Sequence, residues 1–162
     1  AVASGQSIPH LGQGMVCQVI DCDKYGNNSS IMGAHSGNKM LCFWASAQND
    51  DYLILPELAP KNKYISFWAK SLSAKYGLES FDIVVSKSGK EPSDFTGFQS
   101  VKNVPIGDKT DPEGGYAFYE CQLPADTKQV AIHYNAKDEL ALRIEDNTRT
   151  HAANKPNLTR QG

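Results

Sequence analysis

The stretch from residue 50 to residue 96 decides the fold, and it reads DDYLILPEL (50–58), KYISFWAK (63–70), ESFDIVVSKSG (79–89) and SDFT (93–96). In Tyr64–Ser71, Ile65, Phe67 and Ala69 fall on one face, whereas the residues between them fall on the other. Side chains alternate across a β-strand, so a period of two indicates half-buried strands. Long aromatic runs of this kind are typical of the centre of a sheet.

The rest of the chain repeats this pattern, with polar turn residues between short runs. The further predicted strands are 15–20, 39–46, 50–55, 95–101, 116–123, 128–134 and 140–144. No run has a convincing helical period. Many short strands separated by turns indicate a sandwich or a barrel.

Bulk composition excludes several classes of protein. The 162 residues suit one domain with a substantial core. A net charge of −2 and a pI near 6.1 give no electrostatic basis for binding nucleic acid. No apolar run approaches the roughly 20 residues that span a bilayer, and no signal peptide is visible.

The order of these runs resembles the cleaved-adhesin family, also called choice-of-anchor-J domains. The segments that carry the resemblance are AHSGNKML (34–41), DDYLILPEL (50–58), ISFWAKS (65–71), ESFDIVVSKSGKEPSDFT (79–96) and LPADTKQVAIHY (123–134). The family occurs in gingipain and haemagglutinin adhesins of Bacteroidetes and is similar in layout to MAM domains. The resemblance implies an all-β jelly-roll β-sandwich of two antiparallel sheets. It also implies a secreted or surface location in a bacterial, outer-membrane-attached complex.

The resemblance further implies structural calcium. The expected ligands come from three segments of the family pattern: Asp21 and Asp23 in an acidic loop, Ser36 and Asn38 in the following loop, and the acidic pair Glu145 and Asp146. Oxygen ligands of these types suit calcium. The chain departs from the family at Tyr25, which replaces a third acid, and it lacks the family's first-strand acid. A plain Asx-rich turn at 21–30 is the alternative interpretation, because Asp and Asn side chains bond their own backbone.

No catalytic motif is present. The sequence lacks G-x-S-x-G, H-E-x-x-H and Gly-rich phosphate loops. Its four histidines are scattered, and His133 lies in mid-strand, where a half-exposed structural role is the expected one. We therefore expect a non-catalytic binding module rather than an enzyme.

Three binding functions remain open. The first is adhesion to host extracellular proteins or to adjacent modules of the same polypeptide, as the resemblance implies. The second is carbohydrate binding through exposed aromatic rings, for which the candidate residues are Tyr64, Trp68, Tyr76 and Tyr116. The third is a structural spacer. A buried Trp68 is the alternative to its role in sugar binding, since large aromatic side chains mostly bury their area.

Cysteines and termini complete the sequence predictions. Cys17, Cys22, Cys42 and Cys121 form no metal-binding spacing, and whether any pair is a disulfide stays open. Residues 1–14 are predicted to be an irregular lead-in, and 15–146 the adhesin-like domain. Residues 147–162 are predicted to be a linker or tail that leads into an Ig-like or fibronectin-type module.

Overall fold

The protein is a sandwich of two antiparallel sheets. The computed structural model describes residues 17–22, 33–45, 48–58, 60–61, 63–106, 115–137, 141–148 and 159–161, and the side chains of 146–148 and 159–161 are not part of that description. The strands are β1 (Cys17–Asp21), β2 (Lys39–Trp44), β3 (Asp51–Ile54), β4 (Tyr64–Ser71), β5 (Phe81–Ser86), β6 (Thr96–Val101), β7 (Ala117–Gln122), β8 (Gln129–Tyr134), β9 (Ala141–Thr148) and β10 (Thr159–Gln161). The one helical element in the described residues is a 3₁₀ turn at Pro92–Asp94.

Most strands that follow one another in the chain lie in different sheets. The first sheet has the order β1-β2-β9-β4-β7-β10, and the second has the order β3-β8-β5-β6. Every strand pair is antiparallel, and most paired strands are distant in sequence. This arrangement confirms the predicted two-sheet β-sandwich.

The core lies between the sheets and consists mainly of residues that the period of two assigned to the inner face. Phe67 is fully buried and packs against Phe81 and Tyr119, with ring centres 5.7 and 5.8 Å apart. Ile65 and Ala69, from the same strand, are also fully buried. Burial of apolar surface is the main favourable term in folding, so this layer holds the two sheets together.

The first sheet is also buried on its opposite, outer face. Met40 and Cys42 form a second apolar cluster there, as the apolar residues on both faces of β2 predicted. Lys70 and Arg143 lie on the same face, and both are almost completely buried. Alternation predicted that Lys70 faces away from the core, but it did not predict that the second face is covered.

The C-terminal part of the chain departs most clearly from the sequence predictions. Strand β9 runs on to Thr148, so Glu145 lies inside the strand. Residues 159–161, assigned to a linker or tail, form β10 and pair with β7. The domain boundary near residue 147 stays a prediction.

Candidate functional site

The loop at 33–38 is anchored on the outer face of the first sheet by Glu145. Oε2 of Glu145 accepts hydrogen bonds from the backbone N–H groups of His35, at 2.8 Å, and of Ser36, at 3.1 Å. The His35 ring also stacks on Trp68, with centroids 4.1 Å apart. Gly37, whose φ of 61° lies in the left-handed region, allows the loop to turn there. Glu145 therefore acts as a clamp for this loop.

The clamp lies beside two buried cations. The ammonium group of Lys70 lies 4.4 Å from the centre of the Tyr116 ring. Burial, and then the nearby Arg143, lowers the pKa of Lys70 to about 8, whereas Glu145 opposes this shift. Burial also lowers the pKa of Arg143, and it raises the pKa of Tyr116. Glu145 is the carboxylate that stabilises the charged forms of both cations.

The structure brings the predicted calcium ligands Ser36 and Glu145 into contact, and it does not test the calcium site as a whole. The carbonyl oxygen of Asn38 accepts a hydrogen bond of 2.7 Å from the N–H of Cys22, and Ser36 contributes a donor to Glu145. Asp21 lies opposite Lys39 across β1 and β2. Within the described part of the chain, no group of three Asp, Glu, His or Cys side chains converges. Asp23 and the side chain of Asp146 lie outside the described residues, so calcium binding stays a prediction.

The four predicted ring residues have different environments. Tyr64 is buried and donates a hydrogen bond to Glu120, and Tyr116 is buried beside Lys70, so neither ring faces solvent as a sugar platform requires. Trp68 is half-buried between His35 and Phe118. Tyr76 is 56% exposed. Of the four rings, Tyr76 is therefore exposed, whereas the half-buried Trp68 has the His35 ring stacked on it.

Sequence reasoning missed a polar and aromatic cluster on the outer face of the second sheet, which we call the sheet-face cluster. Strand pairing places Tyr52, His133, Asp82 and Ser100 directly opposite one another on β3, β8, β5 and β6. Alternation along each strand places Tyr52 and His133 at outward positions, so their orientation can be predicted from the sequence. The pairing of β3 with β8, which brings the two residues together, cannot.

Hydrogen bonds fix the side chains of the sheet-face cluster. Nε2 of His133 lies 2.7 Å from Oδ1 of Asp50. Oδ2 of Asp82 accepts a hydrogen bond of 2.8 Å from the side-chain amide of Asn135, and its Oδ1 accepts one from the Ser100 hydroxyl. Each carboxylate is thus held in place while it faces solvent at the sheet surface.

Aromatic contacts fix the rest of the sheet-face cluster. The ring of Tyr52 stacks on that of His133, with centroids 4.2 Å apart and planes 15° apart. The Phe95 ring lies 6.1 Å from Tyr52 on a tilted plane. All three rings are half-buried. Together they form an aromatic surface beside the two carboxylates.

An apolar cleft of about 300 Å³ opens at another edge of the sandwich. Residues that line it include Val19, Leu41, Leu53, Leu55 and Ile144. Val19 is 66% exposed although its partner across the strand pair, Leu41, packs against the core. The cleft forms where β1 and β2 of the first sheet meet β3, the edge strand of the second sheet.

Comparison with known proteins identifies relatives over nearly the whole chain. The model of the Cleaved Adhesin Domain family matches residues 12–148. Hemagglutinin A of Porphyromonas gingivalis is 28% identical over an alignment of 132 residues that covers 75% of this chain and 5% of the relative. Lys-gingipain W83 of the same organism is 28% identical over an alignment of 167 residues that covers 88% of this chain and 10% of the relative. The chain thus corresponds to a small part of these relatives.

Solved structures share the fold. The K2 cleaved adhesin domain of Lys-gingipain superposes with a TM-score of 0.62 at 22% identity, covering 84% of this chain and 89% of that domain. TmCBM61 in complex with β-1,4-galactotriose superposes with a TM-score of 0.51 at 17% identity, covering 91% of this chain and 84% of that structure. At these identities the likeness concerns the fold alone.

Among the described residues, no helix is long and apolar enough to cross a bilayer.

Proposed function

The chain belongs to the cleaved adhesin family, and from that premise we propose that it is a non-catalytic adhesion module of a larger secreted or surface bacterial protein. The observation that carries this proposal is the extent of the match. The family model covers residues 12–148, and the K2 domain aligns over most of both chains. The match therefore extends over most of the length of a family domain, whose loops and sheet faces would supply the contacts on a rigid sandwich.

The proposed partners are host extracellular proteins or adjacent modules of the same polypeptide. A rigid two-sheet scaffold favours binding because the contact groups lose little freedom when a partner docks. The name of Hemagglutinin A indicates agglutination of red cells, which gives a practical first target surface.

The experiment measures binding of the fluorescently labelled chain to human red cells by flow cytometry. An unrelated β-sandwich domain of similar size and charge serves as the control. Saturable binding that is lost when the cells are treated with trypsin supports docking on a protein. Binding no stronger than that of the control domain would contradict the proposal.

Carbohydrate binding is the second candidate function. Accessible rings beside hydrogen-bonding groups favour it, since sugar recognition combines an aromatic surface with polar contacts. Tyr76 has an exposed ring and Trp68 a half-buried one, and TmCBM61, which shares the fold, was solved with β-1,4-galactotriose. Loss of red-cell binding after periodate oxidation of cell-surface glycans, with trypsin having no effect, would favour this candidate.

Structural calcium is a further part of the proposal. Asp21 lies at the end of β1, and the loop at 33–38 lies on the face of the same sheet that carries Glu145. A calcium ion bound by Asp21 and Asp23 would neutralise the negative charge of these two carboxylates. Because it would bind the folded state, it would also stabilise that state by mass action. Glu145 already accepts three hydrogen bonds from protein donors, so any calcium would rely mainly on the other ligands.

A further inference from the structure

The sheet-face cluster has the chemistry of a ligand site, although no sequence motif marks it. A solvated strand face commonly carries separate polar side chains that point into water. Here Asp82 accepts hydrogen bonds from Asn135 and Ser100. His133 is hydrogen-bonded to Asp50 and stacks on the ring of Tyr52. Side chains that are fixed before binding lose less entropy when a ligand arrives.

Open space lies next to these groups. In the neighbouring cross-strand row, Ala131, Val84 and Gly97 stand opposite one another on β8, β5 and β6. A Cβ atom built on Gly97 would meet nothing within 4 Å. Ala131 and Val84 are buried, whereas Gly97 is exposed, so the free space in this row lies at Gly97.

The polar groups of the sheet-face cluster are better suited to binding hydroxyl groups than to binding a charged side chain. The carboxylates of Asp50 and Asp82 are acceptors, whereas the hydroxyl groups of Tyr52 and Ser100 can both donate and accept. A sugar hydroxyl likewise donates and accepts, and the C–H face of a sugar ring packs on aromatic surface. A lysine or arginine side chain offers donors alone and would leave the donor capacity of the Tyr52 hydroxyl unused, whereas the Ser100 hydroxyl already donates to Asp82.

We propose that the sheet-face cluster binds a neutral saccharide. Asp50 and Asp82 accept hydrogen bonds from sugar hydroxyl groups, Asn135 and Ser100 fix the position of Asp82, and Tyr52 with Phe95 supports the apolar side of the ring. The inference rests on the proposed role as a binding module. It places the sugar site on the second sheet, away from Trp68 and from the clamp at Glu145.

The test uses the full chain and an array of defined neutral oligosaccharides, followed by calorimetry on each saccharide that binds. Tyr52→Ala and Asp82→Asn should weaken the affinity about tenfold or more, because each removes a contact or a charged acceptor. Gly97→Trp should block binding by filling the open space while it leaves the hydrogen-bonded network intact. Asp126→Asn, at an exposed turn, is the matched carboxylate control and should leave affinity unchanged.

The possible results separate clearly. Loss of saccharide binding in Tyr52→Ala and Gly97→Trp, with the control unaffected and all variants folded by circular dichroism, supports the site. Saccharide binding that disappears in Trp68→Ala or Tyr76→Ala instead would overturn its location. No binding to any neutral saccharide, or binding to lysine- and arginine-containing peptides alone, would overturn the ligand class. Trypsin-sensitive red-cell binding that persists in Tyr52→Ala would leave the adhesion function standing without this site.

Discussion

The hydroxyl group of Tyr116 donates a hydrogen bond of 2.9 Å to Oε1 of Glu145, and the other oxygen of this carboxylate accepts the two loop amides. A single carboxylate therefore connects the residue that precedes β7, the strand β9 and the loop that precedes β2. Its environment is buried and contains two cations. Loss of one partner in such a network costs more than the bond itself is worth, because the remaining groups stay buried.

The clamp should contribute measurably to stability. We expect Tyr116→Phe to lower the free energy of unfolding by about 1–2 kcal/mol and Glu145→Gln to lower it by about 3 kcal/mol, measured by urea denaturation. The double variant should show that the two losses are coupled by about 1 kcal/mol or more. Glu57→Gln, at an exposed position, is the matched control. Additive effects in the double variant would contradict a shared hydrogen bond.

Calcium binding can be tested separately from the clamp. If calcium is bound, excess chelator should lower the midpoint of thermal unfolding, and calcium at 100 times its dissociation constant should add about 2.7 kcal/mol of stability. Asp21→Ala and Asp23→Ala should abolish the calcium-dependent increment, whereas Tyr116→Phe should retain it. A midpoint that is identical in calcium and in chelator would contradict the calcium prediction.

Lys70 should make stability depend on pH. Its pKa falls from 10.5 to about 8 on folding, chiefly because of burial and secondarily because of Arg143. The unfolded chain therefore binds more protons between about pH 8 and pH 10.5, so the Lys70 contribution to stability rises with pH across that window. It should rise by about 1–3 kcal/mol between pH 7 and pH 10.5.

The difference in unfolding free energy between the wild type and Lys70→Met isolates this effect. The comparison is needed because Cys17, Cys42 and Tyr116 have raised pKa values in the folded state and oppose the rise above about pH 9. The difference should increase through pH 8 and level off above 10.5. A difference that is flat over this range would show that Lys70 titrates normally in the folded protein.

The four cysteines should behave as protected thiols. All four lie among the described residues and none forms a disulfide; Cys42 is fully buried. Burial raises the pKa of Cys42 and of Cys17 to about 12, so few thiolates are present at pH 8. A thiol reagent should modify these two at least about a hundredfold more slowly in the native chain than in denaturant. Fewer than four reactive thiols per unfolded, unreduced chain would reveal a disulfide.

Much of the fold could be predicted from local patterns. Alternation in 64–71 assigned Ile65, Phe67 and Ala69 to the core, and all three are fully buried. The prediction succeeded because a strand presents successive side chains to opposite faces whatever its neighbours are. The same rule placed Tyr64 and Lys70 on the other face, but it could not reveal that this face is covered as well. Accessibility depends on which segments pack there, and periodicity carries no information about them.

The candidate sites, too, could be predicted from the sequence only in part. The sequence by itself determined nine of the ten described strands, most of their inward faces and, through the order of its segments, the family. Only the tertiary structure decided that Glu145 meets a loop 109 residues away, and that Tyr52 stacks on His133 beside Asp82. The reason is physical: strand propensity and side-chain alternation act between neighbouring residues, whereas strand pairing is settled by the packing of the whole chain.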